Sequence, residues 1–446
     1  MPETKQKKSP LFIVLYVILA LVVFVGAFFG GFAAYYFTRD PSVRSLEWVK
    51  NMIKKHYYRE IPDEEFLNAT LGNLFSSNGS DGLLDQYSAY YTAKEYKQRL
   101  NKQMGNQNGD GLTFYSSNGN LQIYRVAGNS PAEESGLKAG MYILGYGLDE
   151  ENIAYGAYTA AFSEFYENLS DGQEYTLLVS AELNEEGNFY TLCKAQYTEN
   201  YAFYFDSSST YRYTGKNAEK LTETAAEMPY AALPDDAACI RLTSFNGGVA
   251  TQLKGLLEVF KEKGKSRLLL DMRNNGGGRM DILKTVAAYL CKDAPEKGSF
   301  PVSIARDRFG KEEVFAADKN RYQTYLSENT QVYVLANVNT ASASEALIGA
   351  MLDYGTITYS SIFLTEINGA ARTYGKGIMQ VTYQNAFTGE AVKLTTSTLR
   401  WPTSDYCIHE TGITPSLPQS GAIAVAGKTV DFYDKMFSTV VQNYLS

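Results

Sequence analysis

Apolar residues follow three different patterns along this chain. The first is continuous: over residues 11–37 no charged side chain interrupts the apolar run. A membrane-spanning helix needs about 20 apolar residues, so this run is long enough to cross a bilayer with some tilt. It also exceeds the apolar core of about 7–15 residues usual in a cleaved signal peptide, so an uncleaved anchor is expected. Lys5, Lys7 and Lys8 precede the run, and Arg39 and Asp40 follow it. The excess of positive charge before it predicts a cytoplasmic tail over residues 1–10, a single span, and everything after residue 38 outside the cytoplasm.

The second pattern has helical spacing. Leu46, Val49, Met52 and Ile53 share one helical face, and residues 38–102 read as an N-terminal helical region. A Gly/Ser/Asn-rich break over 76–82 interrupts it, and Thr92 with Glu95 forms a capping box just after. Between 103 and 190 the spacing shortens. A glycine turn, Gly109-Asp110-Gly111, enters a strand at Leu112; 121–126 and 175–179 read as further strands. Ser130 and Pro131 open a short capped helix. This is a small β-rich module.

The third pattern, over 191–430, alternates strand and helix. Strands are predicted at 238–242, 267–272 and 332–338, with helices at 249–261, 281–291 and from Ser342. Such alternation predicts an α/β domain with a largely parallel, buried sheet. Residues 431–446 read as a C-terminal helix.

Composition narrows the chemistry. A length of 446 residues suits two or three domains. The net charge of -8 argues against nucleic acid as a partner. Only two histidines are present, His56 and His409, in unrelated contexts, which argues against a His-built zinc site and a Ser-His-Asp triad. The four cysteines are far apart and form no CxxC motif, which leaves bridges and free thiols both open.

Three segments remain as candidates for catalysis. Thr340-Ala341-Ser342-Ala343-Ser344-Glu345 lies where a strand turns into a helix. Ser342 with Glu345 fits a capping box, which is the simple reading. A hydroxyl at such a turn also sits beside helix N–H groups that have no internal partner and could stabilise an oxyanion. Arg273-Asn274-Asn275-Gly276-Gly277-Gly278 lacks the phosphate-loop pattern. It reads as an oxyanion loop or as a tight strand-to-helix turn. In Gly375-Lys376-Gly377 a lysine stands between glycines, and burial can make such a lysine a general base. Gln380 shares a sheet face with Lys376, but contact requires a bend.

Taken in order, these segments resemble the carboxy-terminal processing proteases, tail-specific peptidases of the S41 family with a Ser-Lys dyad. The stretch Asp85-Gln86-Tyr87-Ser88-Ala89-Tyr90-Tyr91-Thr92 is similar to that family's N-terminal signature, the 103–190 module to its PDZ domain, and Gly412-Ile413-Thr414-Pro415 to its final block. The resemblance runs over about residues 45–420. It implies a crotonase/ClpP-like βα peptidase core at 191–430, with Ser342 as nucleophile, Lys376 as base and Gln380 orienting the lysine. It further implies that Asp353 supports the site and that Ala343 and Gly277 supply oxyanion N–H groups. Gly109, Asp110, Gly111 and Leu112 would receive a substrate's terminal carboxylate. No metal or cofactor is implied. The implied partners are proteins or peptides with exposed C-termini, and the membrane through residues 11–37. Oligomeric state is left open, a homodimer included. The alternative is a catalytically silent peptide-binding receptor on the same scaffold.

Two departures from the family stand out. The spacing from Ser342 to Lys376 is several residues longer than usual, with the excess at 360–372, where it would reshape or cover the cleft. Met141 stands where the family often has aspartate.

Overall fold

The computed structural model describes residues 10–445 except 39, 57–60, 73, 76–83, 118, 157–158, 184, 228, 368, 417–420 and 427–434. The tail lysines, the break over 76–82 and the start of the C-terminal helix lie outside the described residues. The chain forms two compact units, 1–86 and 87–446.

The first unit holds three helices, α1 (Pro10–Thr38), α2 (Pro41–His56) and α3 (Asp63–Gly72). At 1.5 Å per residue α1 is about 43 Å long, more than a bilayer's hydrocarbon core of about 30 Å. Among the described residues it is the one helix long and apolar enough to cross a membrane. Asp63, in the first turn of α3, pairs with Lys50 and Lys54 of α2 at 3.2 and 3.0 Å.

The second unit begins differently from the all-helical expectation. Residues Ala89–Tyr91 form a strand, β1, before helix α4 (Ala93–Gln103) and strand β2 (Asn106–Gly109). The predicted capping box is present: Thr92 accepts the Glu95 N–H, and the Glu95 carboxylate accepts the Thr92 N–H.

The small β module follows. Its strands are β3 (Leu112–Ser117), β4 (Asn120–Val126), β5 (Tyr142–Gly147), β6 (Ala154–Tyr155), β7 (Glu174–Ser180) and β8 (Asn188–Cys193). Helices α5 (Pro131–Glu134) and α6 (Thr159–Asn168) pack against them. The main strand order is β3-β4-β5-β7-β8, which leaves β3 at an edge. Alternate residues Leu121 and Ile123, and Tyr175, Leu177 and Val179, fill the core with Phe162. Strand β9 (Ala195–Thr198) pairs with β2 outside this sheet.

A nine-stranded sheet dominates the remainder. It takes β10 (Ala202–Phe205), β11 (Ser209–Thr214), β12 (Lys220–Ala225), β13 (Ala237–Leu242) and β14 (Arg267–Asp271). Strands β15 (Ser299–Asp307) and β16 (Glu312–Asp318) leave it for a second sheet, and β17 (Gln331–Ala336), β18 (Ile362–Ile367) and β19 (Ala370–Ala371) return. Strands β20 (Ile378–Gln384) and β21 (Ala391–Arg400) complete the second sheet, and β22 (Ile423–Ala426) completes the first. Helices α7 (Val249–Glu262), α8 (Met280–Leu290), α9 (Ala343–Asp353) and α10 (Lys435–Val440) accompany them.

Only the middle of the large sheet is parallel: β13, β14, β17, β18 and β22 run the same way. Strands β10, β11, β12 and β19 attach antiparallel, so the sheet is mixed rather than largely parallel. Hairpins make those additions, because a short turn reverses the chain where a parallel neighbour needs a helix crossover. In the parallel strands side chains alternate between two cores. Leu268 and Leu270 face α7, α8 and α9, while Leu269 faces Phe437 and Val440 of α10. Each such leucine contributes about 1.5–3 kcal/mol on burial. Gly349 lets the Trp401 ring press on α9; a Cβ there would lie 2.2 Å from the indole.

Candidate active site

The parallel strands β14 and β17 end beside each other, so the loops that follow them meet. Asn275 is the clasp. Its carbonyl accepts the Ala341 N–H at 3.0 Å and the Ser344 hydroxyl at 3.0 Å, and its side-chain amide donates to Leu242 at 2.9 Å. Asn337 adds a second tie, accepting the Asn274 N–H at 3.0 Å and donating to Asn274 Oδ1 at 2.8 Å.

This frame separates the three hydroxyls of the turn. Thr340 and Ser344 are fully buried, and they donate to Met272 and Asn275 carbonyls at 2.9 and 3.0 Å. Ser342, between them, is part-exposed and lines a cleft of about 1160 Å³ with Lys376, Gln380 and Gly277. Its backbone sits at φ 58°, ψ −116°. Positive φ in a residue with a Cβ costs about 1–3 kcal/mol and persists only where the surroundings hold it.

Glu345 does the holding. It is fully buried and accepts four donors. The Ser342 and Lys376 N–H groups each reach Oε2 at 2.9 Å. The Gly375 N–H and the Thr373 hydroxyl reach Oε1 at 2.7 and 2.6 Å. One carboxylate therefore ties the serine turn to the Gly-Lys-Gly turn from behind. Burial pushes its carboxyl above the usual glutamate range, with the four donors pulling the other way. The capping box had pointed to the bond with Ser342. The bonds to Thr373, Gly375 and Lys376 come from about 30 residues downstream, where no local signal indicates them.

The block at Gly412 backs the same turn. Thr373 N–H donates to the Ile413 carbonyl at 3.0 Å, and Ile413 N–H returns to the Thr373 hydroxyl at 2.8 Å. The 407–412 segment also packs on Gly377, where a Cβ would lie 2.6 Å from the His409 nitrogen. Tyr87 is a further residue at the site. The Lys376 ammonium sits 4.6 Å from its ring centroid, and the Tyr87 hydroxyl bonds that of Tyr374 at 2.9 Å.

The remaining expected residues divide. Ala343 opens α9, so its N–H has no carbonyl one turn back to bond. Gln380 lines the cleft just beyond a register shift between Met379 and Gln380, and its amide donates to Thr395 at 3.1 Å. The Gly277 N–H does not stand free as expected; it donates to Asn275 Oδ1 at 3.0 Å. Gly277 is nonetheless pressed against the serine turn at φ 93°, where a Cβ would lie 2.8 Å from Ala341 O, Ala343 N and Ser342 Cβ.

Asp353 is not brought to the site. It lies at the far end of α9, about 16 Å along the axis from Ser342. There it accepts the Thr403 and Ser404 N–H groups at 2.8 and 2.9 Å and braces the turn after β21. The extra residues between Ser342 and Lys376 form the β18–β19 hairpin and contribute none of the described cleft lining.

The loop before the serine also reaches the small β module. Asn339 donates to the Tyr124 hydroxyl of β4 at 2.9 Å and to Asn274 Oδ1 at 3.1 Å. No group of three or more metal-ligating side chains occurs among the described residues. The four cysteines are free thiols.

Residues 236–418 match the profile of peptidase family S41. The chain is 22% identical to a "Probable CtpA-like serine protease" of Staphylococcus epidermidis over 84% of this chain and 65% of that protein, just under two-thirds of the relative's length. It is 25% identical to the carboxy-terminal processing protease CtpA of Bacillus subtilis, over 85% of this chain and 69% of that one. A chloroplastic C-terminal processing peptidase of Tetradesmus obliquus is 31% identical over 43% of this chain and 37% of its own.

Proposed function

We propose that this chain, which carries a peptidase family S41 domain over residues 236–418, is a serine endopeptidase of the C-terminal processing type with a Ser-Lys dyad. Ser342 Oγ attacks a peptide carbonyl, and Lys376 takes its proton and passes it to the leaving amine. Water then hydrolyses the acyl-enzyme. The Ala343 N–H is the oxyanion donor; Gly277 joins it only when its N–H leaves Asn275 Oδ1. Gln380 positions the lysine.

One observation carries this reading: of three neighbouring hydroxyls, the one turned to the cleft and held at positive φ is also the one that shares the cleft with Lys376. The small β module is read as a PDZ-like docking domain, with the edge of β3 open to strand addition among the described residues. Helix α1 is read as the membrane anchor, with the peptidase outside the cytoplasm. Substrates are proteins with accessible, unstructured tails.

The test is cleavage of an unstructured polypeptide by the native chain and by Ser342→Ala and Lys376→Ala. Both substitutions should abolish turnover with the fold intact by circular dichroism. Full activity in Ser342→Ala rules the mechanism out.

A further inference from the structure

A peptide ending at the loop Gly109-Asp110-Gly111-Leu112 needs free backbone N–H groups for its carboxylate. Here the loop's own acid takes one of them, the Leu112 N–H. Asp110 is 1% exposed. Its Oδ1 accepts the Leu112 N–H at 2.8 Å, and its Oδ2 accepts the Tyr175 hydroxyl. The Tyr166 hydroxyl of α6 lies beside the same loop, 3.8 Å from where a Cβ on Gly109 would sit. Burial first, then Asp110 itself, pushes both tyrosine hydroxyls well above their ordinary range, so both stay protonated.

The loop has no room to move aside. Gly111 lies at φ 88°, and a Cβ there would be 2.2 Å from Ser130. Aromatic rings line the neighbouring strip between β3 and α6: Phe114 meets Phe162 at 4.8 Å and Tyr166 at 6.3 Å between centroids. An arriving carboxylate would find the Leu112 N–H taken and a second carboxylate in contact, an arrangement that disfavours both charges.

We propose that Asp110 is a built-in occupant of the carboxylate position. The module therefore reads an extended segment of the substrate tail and not the free carboxylate that ends it. Gly109 to Leu112 would then be a specificity device that relaxes, rather than enforces, the requirement for a terminus. The cleavage part of this proposal rests on the peptidase reading above; the binding part does not.

The experiment uses two unstructured peptides, identical except for a C-terminal acid or amide, and the whole chain in detergent. Binding is measured by fluorescence anisotropy on the Ser342→Ala protein, cleavage on the native protein. The native loop should bind and cleave the two forms within about twofold of each other. Asp110→Ala should raise the acid-over-amide ratio about tenfold, the scale of a charge-assisted hydrogen bond. Asp110→Asn keeps the acceptor for the Leu112 N–H, reverses the bond with the Tyr175 hydroxyl and removes the charge, and should give a smaller rise. An acid preference of tenfold or more in the native loop overturns the proposal. So does a folded Asp110→Ala protein whose ratio stays at the native value, or one that binds neither peptide. If Asp110→Ala fails to fold, Asp110→Asn is judged by the same criterion. Equal binding without any cleavage would defeat the peptidase reading and leave this one standing.

Discussion

Two buried carboxylates, Glu345 and Asp110, stand beside two loops rich in backbone N–H groups, and they do opposite things. Glu345 sits behind its loops. It takes the Ser342 and Lys376 N–H groups that face inward and leaves the side chains of Ser342 and Lys376 to the cleft. Asp110 sits within its loop and takes the Leu112 N–H for itself. An internal acid can thus build an anion site or fill one, and which it does depends on the side from which it approaches.

Six substitutions test this contrast. The largest effect is expected at the dyad, since a peptidase that loses its nucleophile or base falls by at least about a thousandfold in turnover. If Ser342→Ala and Lys376→Ala keep native melting temperatures in calorimetry while losing that activity, the loops are held by Glu345 and not by the dyad. Gly277→Ala comes next. It places a methyl 2.8 Å from the serine turn, so kcat should fall about 10- to 100-fold, as a 1 Å misplacement does. A variant with native kcat would show that the two loops do not need their close approach.

Glu345→Gln puts an amide N–H₂ against donors that require an acceptor. The expected loss is about 1–3 kcal/mol in denaturant unfolding, together with a fall in activity. Its pH dependence has a definite sign. Burial holds the folded carboxyl above its unfolded range, so the native state binds the proton more tightly. That contribution to stability is complete below the unfolded range and is lost as pH rises through the raised folded value. Glu345→Gln should flatten this part of the stability–pH curve; an unchanged curve would remove the buried acid from the account. Asp110→Ala is expected to shift selectivity about tenfold with little change in turnover. The smallest effect belongs to Asp353→Asn, which should cost about 0.5–1.5 kcal/mol in melting experiments and leave kcat/KM within about twofold. A large catalytic loss there would return Asp353 to the site.

The same contrast explains what was legible from the chain. Ser342, Lys376 and the triple-glycine loop stand out because a turn that exposes a catalytic group is a local event, written in a few consecutive residues. The strands at 267–272 and 332–338 and the helix at 281–291 were equally local and shift by only a few residues. What local patterns miss is pairing across distance. Strand β1 was read as part of a helical region because its partner, β21, lies about 300 residues away. Glu345 was visible as a capping residue, but not as the hub of two turns. Asp353 was misplaced because a helix that starts at the serine carries its last residue out of reach. Asp110 reads from the chain as part of a carboxylate-receiving loop, because nothing nearby reveals the Tyr175 hydroxyl, 65 residues on.

The Tyr124–Asn339–Asn274 chain has a thermodynamic consequence. It couples a strand of the small module to the loop beside the nucleophile through a single amide. If a segment docked on the module favours one position of that amide, substrate seated in the cleft must change the module's affinity by the same factor. Docking and acylation would then be linked equilibria, and product release at one end would loosen the grip at the other.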